Sequence, residues 1–288
     1  MDKKEKKDLE REAIINYLGK LLTLEKEHSL LPGSRNPATV ASFLGLKEDE
    51  LEALKEGSKD KAMQAAEELL KDAEIREKME NIPFKKGDKI VGVGDDITSD
   101  FEGWFEIFRY VVDTARPDLE LEWINAGVYQ NTTHDVLRRL NNDVMHTGAA
   151  WVILHLGTYD AQRLHTASER THVSLAEFWE NLNSIDLALQ EVVDNPLIWI
   201  SPSPVITEQM MKVPVFEGII QEDDLTEFRE VLSGKTGYVV DPQGLRFGRP
   251  ANSWNFLADG LHPSIAGHLV TVRELIHTLT KGKVVGDD

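Results

Sequence analysis

Five short apolar runs, separated by amphipathic stretches, fill the chain from residue 89 onward, and this alternation most restricts how the chain can fold. The runs read KIVGVG, LELEWINAG, AAWVILHLG, PLIWISPSP and GYVVD. Strands that are apolar along most of their length are typical of a parallel sheet covered by helices on both faces. The pattern therefore predicts a three-layer α/β/α domain, in which ligands bind at the carboxyl ends of the strands.

Helical patterns lie between the predicted strands and after the last of them, at residues 104–114, 132–144, 175–193, 224–232 and 263–279. The first 82 residues differ, because they contain helical patterns and almost no strand-like run. Apolar residues recur at helical spacing within 14–22, and residues 60–80 are rich in strong helix formers. Pro83 and Gly87 then interrupt the helical pattern. We predict a small all-helical N-terminal domain over residues 1–82 and an α/β domain over residues 83–288.

Within the helical region, residues 38–57 have the apolar spacing of a helix-turn-helix, with Gly45 at the turn. The second helix of this unit begins with four carboxylates, Glu48, Asp49, Glu50 and Glu52. Carboxylates at these positions would be repelled by a phosphate backbone. The segment is therefore predicted to bind a protein partner and not nucleic acid.

The composition narrows the functional classes further. A formal net charge of −18 disfavours a general phosphate-binding surface. The chain has no cysteine, which removes disulfides, thiol catalysis and cysteine-bound metals. No apolar run approaches the ~20 residues of a membrane span, and the first residues lack the apolar run of a signal peptide. We expect a soluble cytoplasmic protein that does not associate with membranes.

Four further stretches follow one another near the predicted strand ends: GDDIT at 94–98, NAGVYQNTT at 125–133, LGTYDAQR at 156–163 and DGLHPSIAGH at 259–268. Together they resemble the SGNH/GDSL hydrolase family over residues 89–279, and the N-terminal helices fall outside the resemblance. It implies a three-layer, flavodoxin-like α/β fold. It also implies a serine nucleophile, a histidine base and an orienting aspartate, with an oxyanion hole made by backbone N–H groups and an asparagine.

Only two of the implied catalytic positions are kept. The resemblance makes His262 the base and Asp259 the acid that orients it. The nucleophilic serine is replaced by Asp96, the glycine of the second stretch by Gln130, and the asparagine of the third by Tyr159. Asp96 removes the attacking hydroxyl and puts a negative charge where an oxyanion must develop. Losing a triad nucleophile leaves only a small part of the catalysis.

The other two replacements are milder. Gln130 keeps its backbone N–H but crowds the turn, and it would be strained if the turn requires a positive φ. Tyr159 could still donate to an oxyanion through its phenol hydroxyl, although its ring is far larger than an asparagine side chain; alternatively, Tyr159 and Tyr129 fill the substrate pocket beside Gly127. We predict a degenerate hydrolase that needs no cofactor or metal and lacks ordinary esterase activity. It would bind a small molecule at the strand ends or act as a regulatory protein.

Three alternatives stay open. Asp96 could itself attack an ester, alkyl or phosphoryl substrate, with His262 activating the water that resolves the intermediate. Thr98 or Ser99 could serve as a relocated nucleophile. A metal could be bound by Asp95, Asp96, Asp160 and His262. Against the metal stands the simpler interpretation that Asp95 and Asp160 brace the loop backbone.

Overall fold

A five-stranded parallel sheet forms the centre of the protein, with strand order β2-β1-β3-β5-β7. This computed structural model describes residues 24–27, 33–164, 170–212, 218–242, 247–248 and 250–281. The central strands are β1 Lys89–Gly94, β2 Glu122–Gly127, β3 Trp151–His155, β5 Ile198–Ile200 and β7 Tyr238–Val240. Strands β4 Arg163–Leu164 and β6 Gly218–Ile219 form a small antiparallel pair. Each predicted apolar run contains one strand of the central sheet.

The helices follow the predicted order, with ends shifted by a few residues. They are α1 Leu24–Glu27, α2 Pro37–Phe43, α3 Glu48–Leu69, α4 Ala73–Met79, α5 Asp96–Ser99, α6 Trp104–Ala115, α7 Thr133–Leu140, α8 Leu175–Gln190, α9 Thr207–Met210, α10 Glu222–Ser233 and α11 Ile265–Thr280. A π-helical turn, Asn141–Met145, extends α7. Short 3-10 turns lie at Pro117–Leu119 and Ser253–Asn255.

Alternate residues of each strand point to opposite faces of the sheet, and each face has its own apolar core. Ile90 and Ile153 belong to the core that contains α6 and α11, whereas Val91 and Leu154 belong to the core that contains α7, α8 and α10. Both faces are covered, so the predicted three-layer α/β/α fold is confirmed.

The N-terminal helices take part in one of these cores. Ala62, Ala66 and Leu69 of α3 are buried in the same cluster as residues of α6 and α11. A separate small cluster joins α2 to the first turn of α3 through Val40 and Leu51. Apolar packing thus continues across the predicted boundary at residue 82, and an independent domain over residues 1–82 stays a prediction. The predicted helix at 14–22 lies outside the described residues.

The predicted helix-turn-helix corresponds to α2 and α3. Gly45 lies between them with a φ of +68°, a conformation that favours glycine. The four carboxylates at the start of α3 are all exposed. No helix within the described ranges is long and apolar enough to cross a membrane.

Candidate functional site

The turn that follows β1 carries Asp96 to the carboxyl end of the sheet. Asp95 caps the short helix α5, because its carboxylate accepts a hydrogen bond from the Ile97 N–H at 3.0 Å. The turn packs closely against the end of β2. A Cβ atom at Gly127 would lie 2.4 Å from the Ser99 nitrogen and 2.8 Å from the Asp95 carbonyl oxygen. Gly127 is therefore required by this close approach, and the structure places it behind the Asp96 turn.

The loop before α11 brings His262 to the same place. Asp259 Oδ1 accepts hydrogen bonds from the backbone N–H groups of Leu261 and His262 at 2.8 and 2.9 Å. Asp259 Oδ2 lies 2.9 Å from His262 Nδ1. The orienting contact implied by the family resemblance is therefore present in the geometry.

Asp96 contacts the other ring nitrogen of this histidine. Its Oδ2 atom lies 3.4 Å from His262 Nε2 and accepts a hydrogen bond of 2.7 Å from the Tyr159 hydroxyl. Three of the sequence-predicted residues thus form one connected network with Asp259. The Tyr159 hydroxyl is directed at a carboxylate, so it already has an acceptor inside the protein.

Two carboxylates decide the charge of the imidazole between them. Burial alone would lower the pKa of His262, but the negative charge of Asp96 and the hydrogen bond to Asp259 outweigh it and raise the pKa to about 10. For Asp259 the effects have the opposite signs. Burial alone would raise its pKa, but the hydrogen bond and the charge of His262 lower it. Both shifts favour the charged forms of His262 and Asp259.

The network is closed to solvent. Asp96, Tyr159 and His262 have exposed fractions of 0%, 1% and 1%. Tyr129 and Gln130 are half-buried beside the end of β2. His262 is therefore shielded from solvent, and Asp96 is among the groups packed against its ring.

Gln130 has a positive φ, the strained conformation that was expected if the turn requires glycine. Its φ is +53°, and Glu120 is the other non-glycine residue with a positive φ in the part of the chain the structure describes. A side chain in this left-handed region costs about 1–2 kcal/mol relative to the right-handed one. Glycine would adopt this conformation without that cost.

Two other acidic residues brace loops, as the simpler interpretation proposed. Asp95 caps α5, and Asp160 accepts hydrogen bonds from the Thr133 N–H at 3.0 Å and from the Thr133 hydroxyl. Burial raises the pKa of Asp160 to about 7, although the bonds from Thr133 oppose this. Among the described residues, no group of three or more histidine or acidic side chains is arranged to hold a metal ion.

The alternative nucleophiles, Thr98 and Ser99, lie within the turn and contact its backbone. Ser99 donates from its hydroxyl to the Asp96 carbonyl oxygen at 3.4 Å, and the Thr98 hydroxyl lies against Gly94. Both residues are buried. Their geometry gives no support to a relocated nucleophile.

Arg139 is a residue of the site that sequence reasoning missed. From α7, its guanidinium donates to the carbonyl oxygens of Gly94 at 3.0 Å and Ala126 at 2.7 Å, and to the Asn131 side chain at 2.7 Å. It thereby ties the ends of β1 and β2 to the loop that carries Gln130. The available signal in the sequence was a charged residue one position before the buried Leu140 of α7.

Comparisons with known proteins agree with the observed fold. The fold, with the four stretches in order along its strand ends, is that of the SGNH-type hydrolases, which confirms the predicted resemblance. In sequence, the chain is similar to an acetylxylan esterase from Geobacillus stearothermophilus, at 25% identity over 215 residues that cover 67% of this chain and 94% of that protein. No protein-family model matches the chain.

Solved structures show the same likeness. A crystal structure of an acetylxylan esterase from Geobacillus stearothermophilus has a TM-score of 0.53 and 21% identity, covering 68% of this chain and 95% of that one. An α/β hydrolase from the metagenome of Lake Arreo, Spain, has a TM-score of 0.54 and 22% identity, covering 68% and 96%. At this identity the likeness establishes the fold, and the chemistry must be argued from the site.

Proposed function

We propose that this protein uses a hydrolase fold for binding or regulation and does not hydrolyse esters in the ordinary way. The observation that carries this proposal is the position of His262 between Asp96 and Asp259. A general base must be unprotonated to accept a proton from a nucleophile or from water. The pKa of about 10 keeps His262 protonated at neutral pH, so it cannot perform that step.

The remaining machinery is also altered. Asp96 offers no hydroxyl, and its negative charge opposes the oxyanion that forms during acyl transfer. The Tyr159 hydroxyl donates to Asp96 and is not free to donate to a substrate carbonyl. Each change acts on a different part of catalysis, and together they support loss of ester hydrolysis.

The ligand of the proposed binding protein would lie at the strand ends, against the half-buried side chains of Tyr129 and Gln130. A similar protein is an acetylxylan esterase, so xylooligosaccharides with and without acetyl groups are the first ligands to test. A protein partner at the N-terminal helices, no binding of nucleic acid and a cytoplasmic location belong to the same proposal.

The test is hydrolysis of short acyl nitrophenyl esters. We expect the unaltered protein to be no faster than its His262→Ala variant. His134→Ala is the matched control, because His134 is an exposed histidine. Robust turnover that His262→Ala abolishes and His134→Ala leaves intact would overturn the proposal.

One observation favours a second function, a hydrolase of altered chemistry. Asp96 Oδ1 is buried and has no hydrogen-bond partner among the described residues, so one carboxylate oxygen keeps a free lone pair for attack on an alkyl or phosphoryl centre. Asp96→Asn separates the two functions. A binding protein should retain ligand affinity in this variant, whereas an enzyme with an aspartate nucleophile should lose all turnover of alkyl halides or phosphate esters.

A further inference from the structure

A second buried polar cluster lies behind the Asp96 turn, on the sheet face that packs against α6 and α11. His155, the last residue of β3, is completely buried, and neither of its ring nitrogens has a hydrogen-bond partner in the described part of the chain. Its Nδ1 atom lies 4.0 Å from Asp95 Oδ1. That distance is too long for a direct hydrogen bond.

Two further polar groups at this place also lack partners. The Trp104 Nε1–H group and the Thr98 hydroxyl are buried, and neither is hydrogen-bonded within the described ranges. The centres of the Trp104 and His155 rings are 6.0 Å apart. Gly94 pairs with His155 in the sheet, so both residues face the same side, and a Cβ at Gly94 would lie 2.2 Å from Thr98 Oγ1. The missing side chain at Gly94 is what lets the Thr98 hydroxyl reach this space.

The hydrogen-bonding capacities of these groups are complementary to those of water. An indole N–H only donates, a neutral imidazole donates once and accepts once, and a hydroxyl does both. Burial and, to a smaller extent, the charge of the nearby His268 lower the pKa of His155 to about 3, so the ring is neutral at physiological pH. His268 itself lies 3.5 Å from Asp100.

We propose that Trp104, His155, Thr98 and the Asp95 carboxyl group enclose a binding site for a buried water molecule. A separation of 4.0 Å between two polar atoms is suited to one bridging water, and buried waters bind where two to four polar groups converge. Water is preferred over an anion because Asp95 and Asp96 are adjacent. The water would connect β3 to the turn that carries Asp96, so His155 would act as a positioning residue for that turn.

Nuclear Overhauser effects between water and indole N–H protons test the site in solution. Trp199 is the matched control, because it is equally buried and donates directly to the Thr236 carbonyl oxygen at 3.1 Å. We expect a cross-peak to water at Trp104, assigned with Trp104→Phe, and none at Trp199. The cross-peak should persist in Thr98→Val, which removes the Thr98 hydroxyl as a relay, because Trp104, His155 and Asp95 still give the water three polar partners. Absence of the cross-peak at Trp104, or its loss in Thr98→Val, would refute the proposal.

A high-resolution crystal structure of the unaltered chain tests the same site without any substitution. The expected result is an ordered water within hydrogen-bond distance of both Trp104 Nε1 and His155. A direct contact between His155 and Asp95, with no density between them and Trp104, would contradict the proposal. In a second structure, His155→Phe should expel the water and leave the Asp259 contact to His262 unchanged.

Discussion

Two buried histidines lie at the same end of the sheet, and their surroundings shift their pKa values in opposite directions. His262 and His155 are equally shielded from solvent, at exposed fractions of 1% and 0%. His262 contacts two carboxylates, at 2.9 and 3.4 Å, and its pKa rises to about 10. The Nδ1 atom of His155 lies 4.0 Å from the Asp95 carboxylate, too far for a hydrogen bond, and the pKa of His155 falls to about 3. Burial is the same for both rings, so direct partners decide the charge.

The comparison explains what the aspartate at position 96 does. With a serine at that position, His262 would have one carboxylate partner and could exchange its proton with a nucleophile. Asp96 adds a second carboxylate on the opposite side of the ring. We therefore propose that the replacement turns the position of a catalytic base into the cationic centre of a buried ion-pair network.

The largest expected change is in activity. Asp96→Ser removes the second carboxylate from His262 but leaves Gln130 and Tyr159 in place, so we expect little ester hydrolysis. The triple variant with Gln130→Gly and Tyr159→Asn should exceed it by on the order of 10²-fold, because that is about what one oxyanion-hole donor contributes. The gain should exceed the product of the single effects, since these residues act as a unit. Full turnover in Asp96→Ser alone would show that the pocket is not obstructed.

The next effect is on stability. Asp96→Ala should lower the free energy of unfolding by on the order of 3 kcal/mol, because it leaves a buried imidazolium with one partner. His155→Leu, which replaces a neutral buried ring, should cost about 1 kcal/mol or less. Urea denaturation at neutral pH measures both. Equal losses would mean that the two histidines do not differ as described.

Opposite pH dependences follow from the same contrast. His262 has a folded pKa of about 10 against 6.5 in the unfolded chain, so its contribution is complete below pH 6.5 and is lost as the pH rises toward 10. His155 has a folded pKa of about 3, so its contribution is complete above pH 6.5 and is lost as the pH falls toward 3. Each contributes a slope of up to about 1.4 kcal/mol per pH unit.

Melting temperatures between pH 4 and pH 10 check these slopes. His262→Gln should flatten the alkaline decline, and His155→Leu should flatten part of the acid decline. A variant that changes the opposite side of the profile would reverse the assignment of charge.

The smallest effect concerns the strained turn. Gln130→Gly should stabilise the protein by up to about 1 kcal/mol, because glycine adopts a φ of +53° without steric cost. Gln221→Gly is the control, since Gln221 has an ordinary φ of −104° and should gain nothing. A loss of stability in Gln130→Gly would show that the glutamine side chain makes contacts that outweigh the strain.

The sheet and the contact between Asp259 and His262 could be predicted from the sequence because both depend on local patterns. Each apolar run contains its strand, and Asp259 and His262 are three residues apart in one loop, where a short motif fixes their geometry. The contact between Asp96 and His262 could be anticipated because the resemblance already places those positions side by side.

The cluster around His155 could not be predicted in this way. Its members come from β3, α5 and α6, and no short pattern links Trp104 or Thr98 to a strand more than fifty residues later. The packing of α3 into the main core was missed for a different reason. Its buried face includes small residues such as Ala62 and Ala66, which have high helix propensity but show little about burial.

The central claim, that Asp96 holds His262 in its charged form, is tested most directly by titrating His262 by NMR. Its ring resonances, assigned by comparison with His262→Gln, should show a pKa well above 6.5 and near 10, and Asp96→Asn should move that pKa down. A pKa at or below 6.5 in the unaltered protein would mean a neutral ring that is free to act as a base. That result would contradict both the charge assignment and the proposed loss of ester hydrolysis.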